Sequence, residues 1–389
     1  MYLVAQKALE ITITIITLIY AFFTTFLMIG WLKIPRFRPE LFKNAKNMSQ
    51  CQLSVVIVVR NEAENIPALL QDLSTQTLAS NLFEVFIVND HSTDDTVKLV
   101  EAYQTKANYR LHLLHLTSDD FTHSPKKAGI TKAIQQARGK YIITTDGDCR
   151  VSPQWLELYL QFYQTTNAQL ISGGVTFAPA KSAFDQIQVV EFASLIGSGA
   201  ASLQMGFPNM CNGANLSYKK QAFEAVEGFT GTEHIASGDD EFLMHKIAQK
   251  YPQGVHFIKQ PQSVVTTLPV PNLRHFFHQR KRWASKWSFY RDYKVKILAF
   301  FIFLCNFGLL FAFLMNIFGS YALTTFLMQL CIKNAIEFIF LTLILSYLHQ
   351  RPLIWWIPVV QIIYPIYVVF FGLLAQRKSA YEWKGRKLT

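Results

Sequence analysis

Hydrophobic residues run along this chain in two different rhythms. Near the N-terminus, Ile11 to Trp31 is a predominantly apolar stretch of about twenty residues, the length that crosses the hydrocarbon core of a bilayer as a helix. Three more such stretches, Ile297 to Phe318, Tyr321 to Tyr347 and Leu353 to Leu374, fill the C-terminal third. Between them, about 240 residues alternate short apolar runs with helical patterns, the rhythm of βαβ units on a mostly parallel sheet in an α/β fold. "LSVVIVV" (Leu53 to Val59), "FEVFIVND" (Phe83 to Asp90), "LHLLHL" (Leu111 to Leu116) and "KYIITTD" (Lys140 to Asp146) read as strands, with helices over Asp95 to Gln104 and Lys127 to Ala137.

Charge adds direction to this pattern. Lys33, Arg36, Arg38, Lys43 and Lys46 come after the first apolar stretch and only Lys7 precedes it, so the charge bias places the α/β region in the cytoplasm. The stretch is too long for a cleaved signal peptide and reads as a retained anchor. Three crossings at the C-terminal end would leave the basic tail (Arg377, Lys378, Lys384, Arg386, Lys387) on the opposite side, against the same rule, so the parity of the spans stays open and one segment is a candidate re-entrant or interfacial piece. Lys333 and Glu337 stand four apart on one helix face, where they can pair inside a bundle.

Composition agrees: 51% hydrophobic residues with only 16% charged ones fits a chain partly embedded in lipid. The formal charge of +11 sits beside the apolar segments, where anionic lipid accounts for it and nucleic acid is not needed. The five cysteines form no C-x-x-C pair and stand near no histidine at zinc spacing, which leaves them as reduced, structural thiols. The expected organisation is an anchor over 1–32, an α/β domain over 50–272, an interfacial segment over 273–296, a membrane region over 297–375 and a basic tail over 376–389.

In open α/β sheets the ligand lies beyond the carboxyl ends of the strands. Three of the expected strands end in candidate ligand groups: Arg60-Asn61-Glu62, Asp90 and Asp146-Gly147-Asp148. The last of these places two like charges two residues apart, and without a positive partner each opposes the other's ionisation. In "SGDDEFL", Ser237 to Leu243, acid follows acid at the apparent start of a helix, where the dipole favours carboxylates and simple capping is the alternative. "HQRKRW", His278 to Trp283, opens a cationic stretch interleaved with Phe276, Phe277, Trp287, Phe289 and Tyr290, as suits a segment lying in the membrane interface.

"SVVIVVRNEAENI", "VNDHSTDDT", "TTDGDC", "GDDEFL" and "QRKRW", in this order and at these spacings, resemble the family 2 glycosyltransferases of the GT-A fold. The likeness is to their membrane-integrated branch, which includes cellulose, chitin and hyaluronan synthases and ceramide glucosyltransferase, and it covers Leu53 to Trp283. It implies an inverting transfer of a sugar from a nucleotide-diphosphate donor, a UDP-sugar above all. The donor site it implies is formed by Glu62, Asp90 (at the nucleobase and ribose), Lys127, Asp146, Asp148 and Arg282. Asp146 and Asp148 would hold Mg2+ or Mn2+ against the diphosphate, since such an ion prefers hard oxygen ligands and takes one or two carboxylates plus phosphate oxygens. Lys127 stands in a K-A-G-N-like segment in which Ile130 replaces the asparagine. The E-D-x-x-L pattern puts Asp239 at the glutamate position and Asp240 at that of the general base which takes the acceptor's proton. Q-x-x-R-W assigns Gln279 and Trp283 to the acceptor, the indole stacking on a sugar ring, and Arg282 to phosphate oxygens. The acceptor is a membrane lipid or lipid-linked molecule. A processive polysaccharide synthase is the alternative, and a catalytically silent scaffold fits five intact motifs poorly.

Overall fold

The computed structural model describes residues 2–38, 50–117, 124–235, 237–289, 293–374, 381–383 and 386–388. Lys43 and Lys46 after the first apolar stretch, Tyr290 and Arg291 of the interfacial segment, and Arg377, Lys378 and Lys384 of the tail lie outside the described residues. The chain divides into two compact units, one of Lys33–Pro179, Gly199–Pro269 and Glu382–Thr389, the other of Met1–Leu32, Ala180–Ser198 and Val270–Tyr381. Ala180–Ser198, expected inside the α/β domain, thus falls with the helices.

In the α/β unit, β1 (Leu53–Val59) is a β-branched run buried on both faces, as a central parallel strand must be. It is followed by α2 (Ile66–Ser74), β2 (Phe83–Asn89), α3 (Thr96–Gln104), β3 (Arg110–His115), α4 (Pro125–Gln136), β4 (Tyr141–Thr144), α5 (Trp155–Thr165) and the short strands β5 (Leu170–Gly173) and β6 (Val175–Phe177). β7 (Leu216–Lys219), α7 (Lys220–Ala225), α8 (Glu241–Lys250), β8 (Val255–Ile258) and β9 (Val265–Thr267) complete it. The seven-stranded sheet runs β3-β2-β1-β4-β7-β5-β8, parallel except for β7, which lies antiparallel to both its neighbours. β1 pairs with β2 from Leu53↔Phe83 to Val59↔Asn89, so the chain leaves both strands at the same level, with Arg60 and Asp90 the first residues out. β4 ends at Thr144, two residues before Asp146, which puts the two aspartates on the turn beyond the strand.

α4 lies close to the sheet because it carries a glycine there: a Cβ on Gly129 would stand 2.8 Å from Val58 Cγ2 and 3.2 Å from Val88 Cγ1. That packing sets the rotation of the helix. A second, two-stranded parallel sheet of β6 and β9 brings Thr267 alongside the main sheet's loops.

The helical unit contains α1 (Tyr2–Lys33), the first part of α6 (Ala183–Gln204), α9 (Leu273–Ser285), α10 (Tyr293–Ile317), α11 (Leu323–Tyr347) and α12 (Ile357–Leu374). Among the described residues, four helical segments are long and apolar enough to cross a membrane: Val4–Lys33, Tyr293–Ile317, Leu323–Tyr347 and Arg351–Leu374. Length therefore singles out none of the three C-terminal segments as the re-entrant piece. Large apolar side chains such as Phe22, Phe300 and Ile362 are left exposed on these helices, as lipid contact requires. Polar groups are turned inward instead. Lys333 Nζ lies 2.7 Å from Glu337 Oε2, the pairing expected from their spacing, and the Tyr20 hydroxyl donates to Glu337 Oε1. Gln329 donates to Thr14 Oγ1 and to the Tyr321 hydroxyl, each at 2.8 Å, tying α11 to α1.

Candidate active site

The carboxyl ends of β1, β2 and β4 carry one connected set of loops. The loops after β1 and β2 are laced together: Thr93 N donates to Asn61 Oδ1 at 2.8 Å, Asn61 N to Ser92 Oγ at 3.1 Å, and Ala63 N to Asp94 Oδ2 at 3.0 Å. Arg60 adds two bonds, from Nη1 to the carbonyls of Asp90 (2.9 Å) and His91 (3.1 Å). Asn61 and His91 both take left-handed backbone, φ 53° and 51°, at the points where these loops turn. Asparagine and histidine are among the non-glycine residues that take that conformation more readily. Asp94, one residue before the N-cap Asp95 of α3, accepts from Thr96 N and Thr96 Oγ1 at 3.1 and 2.6 Å. Burial raises its pKa, but the Thr96 hydroxyl and the backbone amides together outweigh that and hold the carboxyl below its ordinary range. The Asp90 side chain is fully buried, with His91 Nδ1 3.0 Å from Oδ1.

The Asp146-Gly147-Asp148 turn lies against the β1 loop. A Cβ on Gly147 would stand 2.9 Å from both Glu62 Cγ and Val59 Cγ1, so this position admits only glycine, and Glu62 is thereby placed beside the two aspartates. Glu62 Oε2 accepts from Asn65 Nδ2 at 2.8 Å. Asp148 Oδ2 accepts from Thr267 Oγ1 at 3.1 Å. Arg150, two residues on, exchanges backbone bonds with Thr266 and forks onto Asp72 of α2 at 2.6 and 2.7 Å. The turn is therefore clamped from both sides.

The positive partner that the paired aspartates require is Lys126. Its Nζ lies 2.7 Å from Asp146 Oδ1 and 3.4 Å from Asp239 Oδ2. Burial alone would lower the Lys126 pKa, but Asp146, Asp239 and Asp240 hold the ammonium well above its ordinary range. The Asp239 carboxyl is held above the usual carboxylate range, first by burial and then by Asp240 and Asp146, with Lys126 pulling the other way. Asp240 caps α8: Oδ1 accepts from Glu241 N at 2.8 Å, and Oδ2 accepts from Gly213 N at 2.9 Å, so its capping and a place in the acidic crevice coexist.

One site residue stands differently from expectation. Lys127, expected to approach the diphosphate, is buried and donates to the carbonyls of Thr232 (2.6 Å) and Ile235 (2.9 Å), with the Phe229 and Phe242 rings beside it. Gly129 against the sheet fixes that rotation, and the adjacent Lys126 is the lysine turned to the acids. Trp283, expected to stack on a sugar, is half-buried, with the Arg280 guanidinium 4.2 Å from its ring centroid and Phe192 5.9 Å away. Arg280, unassigned by the motif, is buried on Glu191 and also donates to Gln279 Oε1 at 2.5 Å. Gln279, Arg282 and Trp283 all stand on α9 of that unit.

Among the described residues no cluster of three or more His, Cys, Asp or Glu side chains stands at metal-holding distance. The Asp146-Gly147-Asp148 turn still fits a hard divalent ion that completes its shell with phosphate oxygens. Its side-chain ligands are hard carboxylates, and an ammonium stands on Asp146 in the role of a cation.

Family models agree with the reading of the motifs. Glycosyl transferase family 2 matches residues 54–225, and glycosyl transferase family group 2 matches residues 141–373. The glycosyltransferase AglE of Haloferax volcanii is 28% identical over 188 residues, 48% of this chain and 58% of AglE. A poly-beta-1,6-N-acetyl-D-glucosamine synthase of Staphylococcus epidermidis is 23% identical over 276 residues, 68% of this chain and 63% of the synthase. The chain thus spans less than two thirds of the length of these relatives. In three dimensions it is similar to the mannosyltransferase PcManGT from Pyrobaculum calidifontis, solved in complex with GDP-Man and Mn2+. The TM-score is 0.59 at 18% identity, over 96% of this chain and 100% of that one, a likeness of fold.

Proposed function

The chain belongs to glycosyl transferase family group 2, and from that membership we propose that it moves a sugar from a nucleotide-diphosphate donor to a membrane lipid or lipid-linked acceptor, with inversion. The observation that carries this reading is the convergence of Asp146, Asp239 and Asp240 around one ammonium, beyond the carboxyl ends of a parallel sheet. Such an excess of carboxylates suits a donor that arrives with a divalent cation. In this reading Asp90 and the laced loops after β1 and β2 hold the nucleoside, and Asp146 and Asp148 hold Mg2+ or Mn2+. When bound, that ion neutralises charge building on the departing diphosphate. Lys126 adds a second positive charge next to it. Asp240, anchored by Gly213 N and Glu241 N, is oriented to take the acceptor's proton, and Asp239 is its rival for that role. Gln279 and Arg282 keep the substrate-contacting roles that their motif implies.

The four candidate spans and the cations Lys33, Arg36 and Arg38 after the first of them support a catalytic unit on the cytoplasmic side of a membrane. Four spans in one chain leave little width for a polymer channel, which favours a lipid acceptor. The likeness to a poly-N-acetylglucosamine synthase over 68% of this chain keeps chain extension as the second reading.

Membranes containing the protein, incubated with a panel of UDP- and GDP-sugars and analysed by mass spectrometry, separate the two. A lipid-extractable product one sugar heavier than its acceptor is expected, formed only without EDTA and restored by Mn2+ or Mg2+. A ladder of long glycans would establish the second reading instead, and full activity after thorough chelation would remove the metal from Asp146 and Asp148.

A further inference from the structure

We propose that Lys126 is a displaceable counter-ion: in the nucleotide-free protein it occupies Asp146 and bars a divalent cation, and a nucleoside diphosphate draws it off, so that cation and nucleotide bind only together. The inference rests on the donor site proposed above and deepens it.

Lys126 Nζ sits on Asp146 Oδ1 at 2.7 Å, on one of the two carboxylates that would hold the proposed ion. Two cations held on one carboxylate repel strongly in a part-buried site, so Lys126 and the ion compete there. The second contact, Asp239 Oδ2 at 3.4 Å, is looser, and the Lys126 side chain remains 22% exposed. Gly213 forms the wall beside it: a Cβ there would stand 3.4 Å from Lys126 Nζ and 3.1 Å from Asp239 Oδ2, so the ammonium is seated rather than trailing in solvent. Its neighbour provides the contrast, since Lys127 is fixed by two carbonyls and two rings and cannot take part. Of the two, Lys126 combines a flexible four-carbon stem with an exchangeable partner.

Lys126 also stands in the first turn of α4, directly after Pro125, where the helix dipole disfavours a cation and favours an anion. The acids are what retain it. Phosphate oxygens arriving at this turn supply a competing anion of higher charge, and Lys126 exchanges Asp146 for them. The same residue thus keeps the acidic crevice from binding stray cations and later touches the leaving group. Because binding free energies are reciprocal, whatever the nucleotide adds to cation affinity, the cation adds to nucleotide affinity.

The test uses the full-length protein in detergent and counts bound Mn2+ by electron paramagnetic resonance, first with Mn2+ alone and then with UDP or GDP. The wild type is expected to bind Mn2+ weakly alone and about tenfold or more tighter with whichever nucleotide it accepts, within the 5- to 150-fold span common for coupled sites. Lys126→Met should bind Mn2+ alone about tenfold tighter than wild type and lose most of the nucleotide effect. Lys126→Arg keeps the charge and should stay weak without nucleotide. Tightening by arginine as well as methionine would assign the effect to packing and overturn the proposal. Lys126→Met binding no better than wild type, while Asp148→Asn abolishes nucleotide-supported binding, would overturn the counter-ion and leave the metal site standing. Absence of any Asp148-dependent Mn2+ binding would overturn both.

Discussion

The helical unit and the α/β unit bury charge in opposite ways. In the helical unit Lys333 faces Glu337 and Arg280 faces Glu191, one cation to one anion, with the surrounding rings of Tyr20, Tyr364, Phe276 and Trp283 completing the cover. In the α/β unit a single ammonium is set among Asp146, Asp239 and Asp240. A matched pair is complete in itself. It costs desolvation, and what it returns is a fixed arrangement of the helices that carry it. An unmatched acidic crevice is incomplete: it costs stability while nothing is bound, and it finds its balance in a ligand that carries positive charge.

The largest effect that this contrast predicts is on turnover. Asp240→Asn keeps the side chain's size and one of its two acceptors for backbone N–H groups but removes a base, so transfer should fall by roughly two to four orders of magnitude with nucleotide binding intact. Asp239→Asn should cost less. If Asp239→Asn shows the large loss with intact binding and Asp240→Asn stays active, the base is the buried carboxyl of raised pKa rather than the one that caps α8.

Stability supplies the next test, and here the two units should respond with opposite signs. Glu337→Gln or Glu191→Gln leaves a buried cation without its counter-charge and should destabilise by about 3–5 kcal/mol, whereas replacing both members of a pair with apolar residues should be close to neutral. Asp239→Asn in the crevice relieves like-charge crowding, so its melting temperature should be unchanged or higher even though activity drops. Equal destabilisation in both places, measured by thermal melts in the same detergent, would erase the distinction between completed and incomplete charge.

How much of this was legible in the sequence depended on what each element had to satisfy. β1 matches its expected bounds residue for residue and β2 to within one, because a parallel strand buried on both faces must be a continuous apolar run. Asp90 and the Asp146-Gly147-Asp148 turn were legible as strand endings, and Lys333 with Glu337 as a spacing. β7 was not: four residues inserted antiparallel between β4 and β5 carry no pattern of their own, since their place is set by partners distant in the chain. The clamp of Thr267 on Asp148 depends on the equally short pairing of β6 with β9. The choice between Lys126 and Lys127 was hidden for another reason. Adjacent residues on a helix point about 100° apart, and the deciding contact, Gly129 against Val58, is a fact of packing.

The smallest predicted effect concerns Trp283, and it asks whether the helical unit is completed by its own side chains. The Arg280 guanidinium lies 4.2 Å from the Trp283 centroid and 4.4 Å from that of Phe276, while its charge is taken by Glu191. If the indole serves to position α9, it does so next to Gln279, which accepts from the same guanidinium. Trp283→Ala should lower stability by about 0.5–2 kcal/mol, the range of a cation–π contact from exposed to desolvated. It should depress acceptor-dependent transfer and acceptor-free nucleotide release in parallel, because it loosens the helix and touches no one substrate. Trp283→Phe preserves an aromatic face and should recover part of both losses. A selective loss of transfer, with hydrolysis and melting temperature unchanged, would mean that the indole faces a sugar after all, and the helical unit would then be as unfinished without its ligand as the acidic crevice is.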